Sequence, residues 1–291
     1  MTPLITIALP VFNDVDFISA SLDSILAQTE QNFKLIISDD GSTDGSAEIC
    51  KAYAERDKRI KYIRQPKNLG ISKNMEFLVA QADTPYFMWA GDDDLIHPDF
   101  IKTHTTALEN DNNAIVSFNA YAIINEKDKI IAQIDINYGS FSRLIQLFKL
   151  VYFENDGFGY GVFKTEKIKH VKFPIWWWPN RKTPYNNIYP SLAYYLNRGR
   201  YLHQKKVLFS KRQKSPQKTN HVIGGQGNGT REIITYIIRR FYLVHYTFFQ
   251  MLKSITFWNA LVVYPFMLIK WFLWSSLKLV CKSFWYKIRK R

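Results

Sequence analysis

Tyr86-Phe87-Met88-Trp89-Ala90-Gly91-Asp92-Asp93-Asp94 joins a short apolar run to three consecutive carboxylates. The run has the length and composition of a buried strand, and acids clustered at its end are costly. Like charges a few ångströms apart repel one another and lose hydration, so a positive partner is needed to offset them. Hard oxygen ligands in a tight cluster suit Mg²⁺ or Mn²⁺, ions that usually accompany a phosphate-bearing substrate. The plainer reading is a solvated acidic turn in which Asp94 caps a helix starting near Pro98. The segments on either side decide between the two.

Upstream, apolar strands alternate with helical patterns. Ile5 to Val11 is a short apolar run, followed by helical spacing through Phe17, Ile18, Leu22, Ile25 and Leu26. Leu35 to Ser38 is a second strand, running into Asp39-Asp40-Gly41-Ser42-Thr43-Asp44-Gly45, with Asp44 or Ser46 near a helix N-cap. Ile60 to Arg64 is a third strand, Asn68-Leu69-Gly70 a turn, and Met75, Leu78 and Val79 lie on the helix after it. Pro85 to Trp89 is the fourth strand. This alternation predicts an α/β fold with a mostly parallel central sheet and helices on both faces. Ligands of such sheets bind beyond the carboxyl ends of the strands. Pro10 to Asn13, Asp39 to Gly41 and Asp92 to Asp94 all fall there, which favours a site over a solvated turn.

The second half is less regular. Ile115 to Ile124 and Ile130 to Ile134 read as strands, Phe141 to Tyr152 as a helix, and Gly157 to Gly161 as a flexible loop. Trp176-Trp177-Trp178 and Tyr185 to Tyr195 are aromatic-rich, and residues 216–230 form a polar, Gly-rich linker. The domain division is therefore 1–215, split into 1–125 and 126–215, then the linker, then a tail at 231–291.

That tail carries the charge. The chain of 291 residues has a formal charge of +14, and residues 231–291 hold eleven Lys or Arg against Glu232 alone, about +10. The body is left with about +4, so the basic balance does not describe a nucleic-acid-binding face, and no nucleic-acid partner is expected. The longest uncharged run, Ser254 to Ile269, contains Pro265 and is short of the ~20 residues a spanning helix needs. In Trp271 to Ile288, Leu273, Leu277, Val280, Phe284 and Ile288 recur at helical spacing with Lys278 and Lys282 opposite. With tryptophans at 258, 271, 274 and 285, this suits a helix lying on an anionic membrane surface, the alternative being a helical lid packed on the domain. Only Cys50 and Cys281 are present and no secretory leader opens the chain, so a cytoplasmic location, peripheral on the inner membrane face, is expected.

Four stretches in order, Pro10 to Asp14 (PVFND), Asp39 to Ser46 (DDGSTDGS), Asn68 to Asn74 (NLGISKN) and Ala90 to Phe100 (AGDDDLIHPDF), resemble glycosyltransferase family 2, of the GT-A fold. The resemblance covers residues 4 to 125 well. It implies an inverting, metal-dependent enzyme that moves a sugar from a nucleoside-diphosphate sugar, UDP-linked by preference, to a saccharide or lipid-linked glycan in bacterial surface polysaccharide synthesis. By the same resemblance Asp39 accepts the imide proton of a uracil or thymine ring, and Pro10, Val11, Phe12 and Asn13 contact base and ribose. Asn68, Gly70 and Asn74 close the nucleotide pocket, with Arg64 or Lys67 as possible counter-charges for the diphosphate. Asp92 lies near the ribose, and Asp93 with Asp94 holds Mn²⁺ or Mg²⁺. The usual family spelling has an acid where this chain has Gly91.

A second departure concerns the base that deprotonates the acceptor hydroxyl. In the family an acid often precedes a Gly-Arg pair by about ten residues. Gly199-Arg200 is present, but Pro184 to Tyr189 contains Asn186 and Asn187 and no acid. Asp156, with Glu154 next, is the substitute candidate. The alternative function is a catalytically impaired nucleotide-sugar-binding homologue acting as a partner subunit. Tyr160 and the three tryptophans are candidates for an acceptor-stacking surface, and His97 and His203 for contacts near the metal or diphosphate. A dinucleotide-dependent dehydrogenase is disfavoured because no G-x-G-x-x-G follows the first strand.

Overall fold

The computed structural model describes residues 2–139, 142, 144–146, 148–149, 157–173, 199–215, 245, 248–249, 258 and 261–269, with secondary structure alone at 176–177 and 184–185. The first half runs β1 (Ile5–Val11), α1 (Ile18–Leu26), β2 (Phe33–Asp39), α2 (Ser46–Arg56), β3 (Ile60–Arg64), α3 (Ile71–Ala80) and β4 (Tyr86–Trp89). It continues through β5 (Leu95–Ile96), α4 (Phe100–Glu109), β6 (Ala114–Ile124) and β7 (Ile130–Ile134). A 3₁₀ turn at Gly157–Tyr160 leads into β8 (Val162–Lys164) and α5 (Thr165–Ile168). Trp176–Trp177 (β9) and Pro184–Tyr185 (β10) pair with each other, and β11 (Arg200–Arg212) closes the order.

Nine strands form one sheet in the order β3-β2-β1-β4-β8-β6-β11-β5, with β7 added beside β6. It is parallel through β3-β2-β1-β4 and again between β6 and β11. The antiparallel β8 joins those two blocks, and β5 and β7 are antiparallel as well. The expected α/β sheet is present, more mixed in its second half than its first.

Every residue of β1 is buried, as a central strand covered on both faces requires. Around β4, Phe87 and Trp89 meet edge to face with centroids 4.6 Å apart, and Trp89 meets Phe163 and Phe173 at 5.8 Å each. Pro10 sits inside this central strand without an N–H to give. The register explains why it is tolerated. Leu4 and Ala8 accept hydrogen bonds from Tyr86 and Ala90 on the β4 side, and β4 ends opposite Ala8. Two residues later the same side of β1 faces no strand, so the N–H that Pro10 lacks has no ladder partner to miss. Strand order reverses between β1 and β4, the point in such a sheet beyond whose strand ends ligands bind.

Some expectations change in detail. Gly157–Tyr160 is a 3₁₀ turn packed into the core rather than a flexible loop, with Phe158 fully buried. Helix is present at 144–146 and 148–149, inside the predicted helix. The amphipathic pattern of 271–288, Trp178, and the 216–230 segment lie outside the described residues.

Candidate active site

Three loops meet beyond the carboxyl ends of β1, β2 and β4, and hydrogen bonds lock them together. Asn13 Oδ1 accepts from the Thr43 N–H at 2.8 Å, while the Asn13 and Asp14 N–H groups donate to Ser42 Oγ and Ser46 Oγ at 3.0 and 2.9 Å. Asp44 accepts from the Val15 and Ser46 N–H groups, tying the start of α2 to the loop after β1. Gly41 turns this corner with φ +85°, in the left-handed region open to glycine.

Asp39 is fully buried opposite Val11 in the β1–β2 register. Its Oδ1 accepts from the Ser42 N–H at 2.8 Å, and its Oδ2 from Tyr62 at 2.7 Å and Arg64 at 3.2 Å. Arg64 thus serves Asp39 and the Ser42 carbonyl, 2.8 Å away, and is already engaged within the protein. Asp40 turns the other way and accepts the N–H groups of Leu69 and Gly70 at 2.7 and 2.9 Å. Its pKa is raised, by burial first, against the lowering effect of those two donors. Asn68 is exposed on this loop, and Gly70 adopts φ +78°. Asn74 is buried, and its amide donates to the Ser38 carbonyl at 2.9 Å, so it braces α3 against β2.

The acidic stretch divides its three carboxylates. Asp92 Oδ2 accepts from the Phe12 N–H at 3.2 Å, one residue along β1 from the Asp39 register, so the two acids flank one strand end. Carboxylate oxygens of Asp14, Asp92 and Asp93 all lie within 4.8 Å of one another. Asp94 lies outside this group. It is buried, accepts from the Arg212 N–H at 2.8 Å, and packs against Gly91, where an added Cβ would lie 2.9 Å from the Asp94 carboxyl carbon. Gly91 is therefore the space that Asp94 occupies. Asp94 does not cap α4, whose N-cap position is Asp99.

Burial is the main cause of raised pKa values at Asp14, at Asp92 and at Asp94, where it reaches about 8; neighbouring carboxylates add to it. The compensating cation is Lys214, two residues past β11. Its Nζ lies 2.7 Å from Asp14 and 2.9 Å from Asp93, with Phe17 beneath at 5.4 Å. Burial by itself would lower the Lys214 pKa, but Asp93 and Asp14 outweigh it and the net shift is upward. Arg212 braces the loop: Nε donates to the Asp93 carbonyl at 2.8 Å and Nη1 to the Asn125 carbonyl at 2.9 Å. It also pairs with Asp128 at 2.6 Å, and its guanidinium stacks 4.5 Å over Phe17. An ammonium held between two of three clustered carboxylates marks a place built for positive charge. The hard-oxygen donor set fits a divalent cation of the Mg²⁺ or Mn²⁺ type.

Sequence reasoning assigned no role to Asp14, although it quoted the residue within PVFND, nor to Tyr62, Arg212 or Lys214. Asp14 is recognisable as a polar residue at a strand end. Arg212 and Lys214 belong to no motif, and only the return of β11 brings them here. His203 is far off: it stands in register with Phe118 where Arg212 stands with Ile124, six residues along β6 and on the order of 20 Å at strand rise, and it pairs with Asp135 at 2.5 Å. His97 is exposed, and its Nδ1 accepts from the Asp99 N–H. Tyr160 stacks on Phe209 at 4.9 Å. Asp156, Glu154 and Asn187 lie outside the described residues.

A sheet that reverses strand order beside a carboxylate cluster, with a mixed second half, is the GT-A fold. The chain belongs to the family described as Glycosyl transferase family 2, whose model matches residues 6–168, more than half its length. An uncharacterised glycosyltransferase of Rickettsia felis is 33% identical over 145 residues, which is 49% of this chain and 24% of the relative. Glycosyltransferase GlyA of Streptococcus pneumoniae is 38% identical over 99 residues, 34% of this chain and 14% of the relative. The chain thus spans less than a quarter of the length of either. Among solved structures, S. aureus TarS 1-349 in complex with UDP superposes with a TM-score of 0.65 at 16% identity, covering 93% of this chain and 71% of that one. Mannosyltransferase PcManGT from Pyrobaculum calidifontis, in complex with GDP-Man and Mn²⁺, gives 0.57 at 14% identity, over 94% and 72%. At these identities the likeness is one of fold.

Proposed function

We propose that this protein transfers a sugar from a nucleoside-diphosphate sugar to a saccharide or lipid-linked glycan, with inversion, during synthesis of a bacterial surface polysaccharide at the inner face of the membrane. The observation that carries the reading is the convergence of Asp39 and the Asp14–Asp92–Asp93 group on one strand end. Asp39 receives the imide N–H of a uracil ring, since a buried carboxylate already accepting three bonds retains lone-pair capacity. UDP is favoured for that reason, and TarS, a structural neighbour, has been solved with UDP-GlcNAc. Phe12, 39% exposed at the rim, offers a ring edge to base or ribose, with Pro10, Val11 and Asn13 lining the strand end.

Asp93, with Asp92 and Asp14, would hold Mn²⁺ or Mg²⁺, and a cation so held supplies Lewis-acid neutralisation of the departing diphosphate. Arg212 keeps the Asp93 backbone in place, and Asp40 keeps the 68–70 loop over the nucleotide. Lys214, which holds the cation's place between Asp14 and Asp93, would be released by the cation to meet charge developing on the leaving group. Asp156 remains the proposed base.

The test is release of nucleoside diphosphate from a panel of UDP-, GDP- and dTDP-sugars with Mn²⁺. The expected result is turnover of one UDP-sugar that falls at least about a hundredfold in Asp93→Asn. Selective donor binding without turnover in the wild type would instead favour the impaired partner-subunit reading.

A further inference from the structure

The sequence between Lys253 and Lys270 contains no charged residue, and its 261–269 portion, Leu-Val-Val-Tyr-Pro-Phe-Met-Leu-Ile, is helical throughout. Pro265 does not interrupt it. One side of this helix is fastened to the protein: Val263 and Met267 are buried, packed with Leu144, Phe148 and Phe248. Tyr264 is held by its hydroxyl 2.7 Å from His245 Nε2. The opposite side is equally apolar and faces outward. Leu261, Val262 and Ile269 are 50%, 51% and 58% exposed, and Trp258 is 74% exposed. At about 100° per residue, Leu261, Val262, Pro265 and Ile269 fall within one arc of about 100°. Val263 and Met267 lie on the far side of the helix axis. A two-faced helix with no polar face is not the pattern of a surface helix in water.

We infer that this outward stripe is the surface by which the protein lies on an anionic lipid bilayer. The choice of occupant follows from charge. Lys253 and Lys270 flank the stripe, and the segment 231–291 that contains it carries about +10. Two copies packed stripe to stripe would bring two such segments together and repel, whereas anionic headgroups would neutralise them. The uncharged run Ser254 to Ile269, sixteen residues, would make at most about 24 Å of helix, short of a hydrocarbon thickness of about 30 Å. Among the described residues no helix is long and apolar enough to cross a membrane. The stripe therefore sits in the plane of the interface, side chains in the acyl boundary and Trp258 at headgroup level. The inference deepens the proposed function and rests on its placing of the acceptor at a membrane, yet it is tested without any transfer reaction.

The experiment is co-sedimentation of the full chain with vesicles of phosphatidylglycerol and phosphatidylethanolamine, compared with phosphatidylcholine alone. Expected are binding to the anionic vesicles, at least about tenfold weaker binding to the neutral ones, and release by 0.5 M salt, a concentration ample for screening at about 4 Å. Val262→Glu with Ile269→Glu should lower the vesicle-bound fraction at least about tenfold, while lipid-free nucleoside-diphosphate release and the melting curve stay unchanged. Should that variant fold poorly, Leu261→Ser with Val262→Ser is the milder test, with the same expected loss. Wild-type-like binding by the folded variant overturns the inference, as does a wild-type protein that ignores anionic vesicles. So does a lipid-free dimer, seen by sedimentation velocity, that Val262→Glu converts to monomer. Loss of donor turnover with vesicle binding intact would sink the enzymatic reading and leave this one standing.

Discussion

Gly91→Ala tests whether the departure at the acidic stretch is structural. The backbone there is open to alanine, since Gly91 is not among the glycines with positive φ, so the substitution alone would gain about 0.4–1 kcal/mol through the unfolded chain. The folded state opposes it. The new Cβ would lie 2.9 Å from the Asp94 carboxyl carbon, and closer still to one of its oxygens. That is roughly 0.6–1.1 Å inside the optimal carbon–carbon separation. Asp94 is 4% exposed and bonded to the Arg212 N–H, so it yields only by breaking that bond. Overpacking of about 1–3 kcal/mol, plus about 1–3 kcal/mol for a buried N–H left unsatisfied, outweighs the entropic gain. A net loss of about 1–5 kcal/mol is expected in urea denaturation. Asp94→Ala removes the clashing carboxylate, so Gly91→Ala in that background should cost nothing or stabilise slightly. The coupling between the two positions is then about 2–6 kcal/mol. Additivity within about 0.5 kcal/mol would refute the steric account and mean that Gly91 is not there to seat Asp94.

Three other outcomes follow from the same geometry. Lys214→Met should lower the melting temperature in metal-free buffer by leaving three carboxylates without their ammonium, and Mn²⁺ should raise it more in the variant than in the wild type. Equal metal-induced shifts would mean that Lys214 does not occupy the cation's place. Asp40→Ala removes the acceptor for two N–H groups, a loss of about 2–4 kcal/mol, and should speed hydrogen exchange at Leu69 and Gly70 while leaving Val11 protected. His104 is buried between Ser117 and Asn119, at 2.8 and 3.0 Å, edge to face with Phe100 at 4.4 Å and with His203 as a neighbouring charge. Burial lowers its pKa to about 4 from the usual 6.5 of histidine. Its folded form therefore binds fewer protons than the unfolded chain between those values, and stability must fall as pH drops through that window. The loss is about 2 kcal/mol between pH 7.5 and 5, to be read by urea titration, and His104→Gln should flatten it.

Much of the first half was legible because each element there announces itself locally. Ile5 to Val11 and Ile60 to Arg64 coincide with β1 and β3: β1, buried on both faces, is a bare apolar run, whereas β3 is a short, only partly buried edge strand marked off by the polar turns around it. Asp39 could be placed at a strand end for the same reason. β11 was not foreseen. Arg-Tyr-Leu-His-Gln-Lys-Lys-Val-Leu-Phe-Ser-Lys-Arg has neither alternation nor a continuous apolar run, and becomes a strand because β6 offers it a ladder. Register breaks near Gln204 and Val207 disturb its period further.

The sequence alone determined the alternation of strand and helix, the edge on which the polar loops gather and the presence of an acidic cluster, because all three are written in residues a few positions apart. Which carboxylates share a charge was decided by the tertiary structure. Asp94 is sequence neighbour to Asp93 yet turns inward to Gly91 and Arg212, while Asp14, almost eighty residues upstream, takes the place beside it. The ammonium that answers them comes from Lys214, carried in by a strand with no local signal. Electrostatic compensation acts over a few ångströms of space and is indifferent to separation along the chain, so only the fold can assign it.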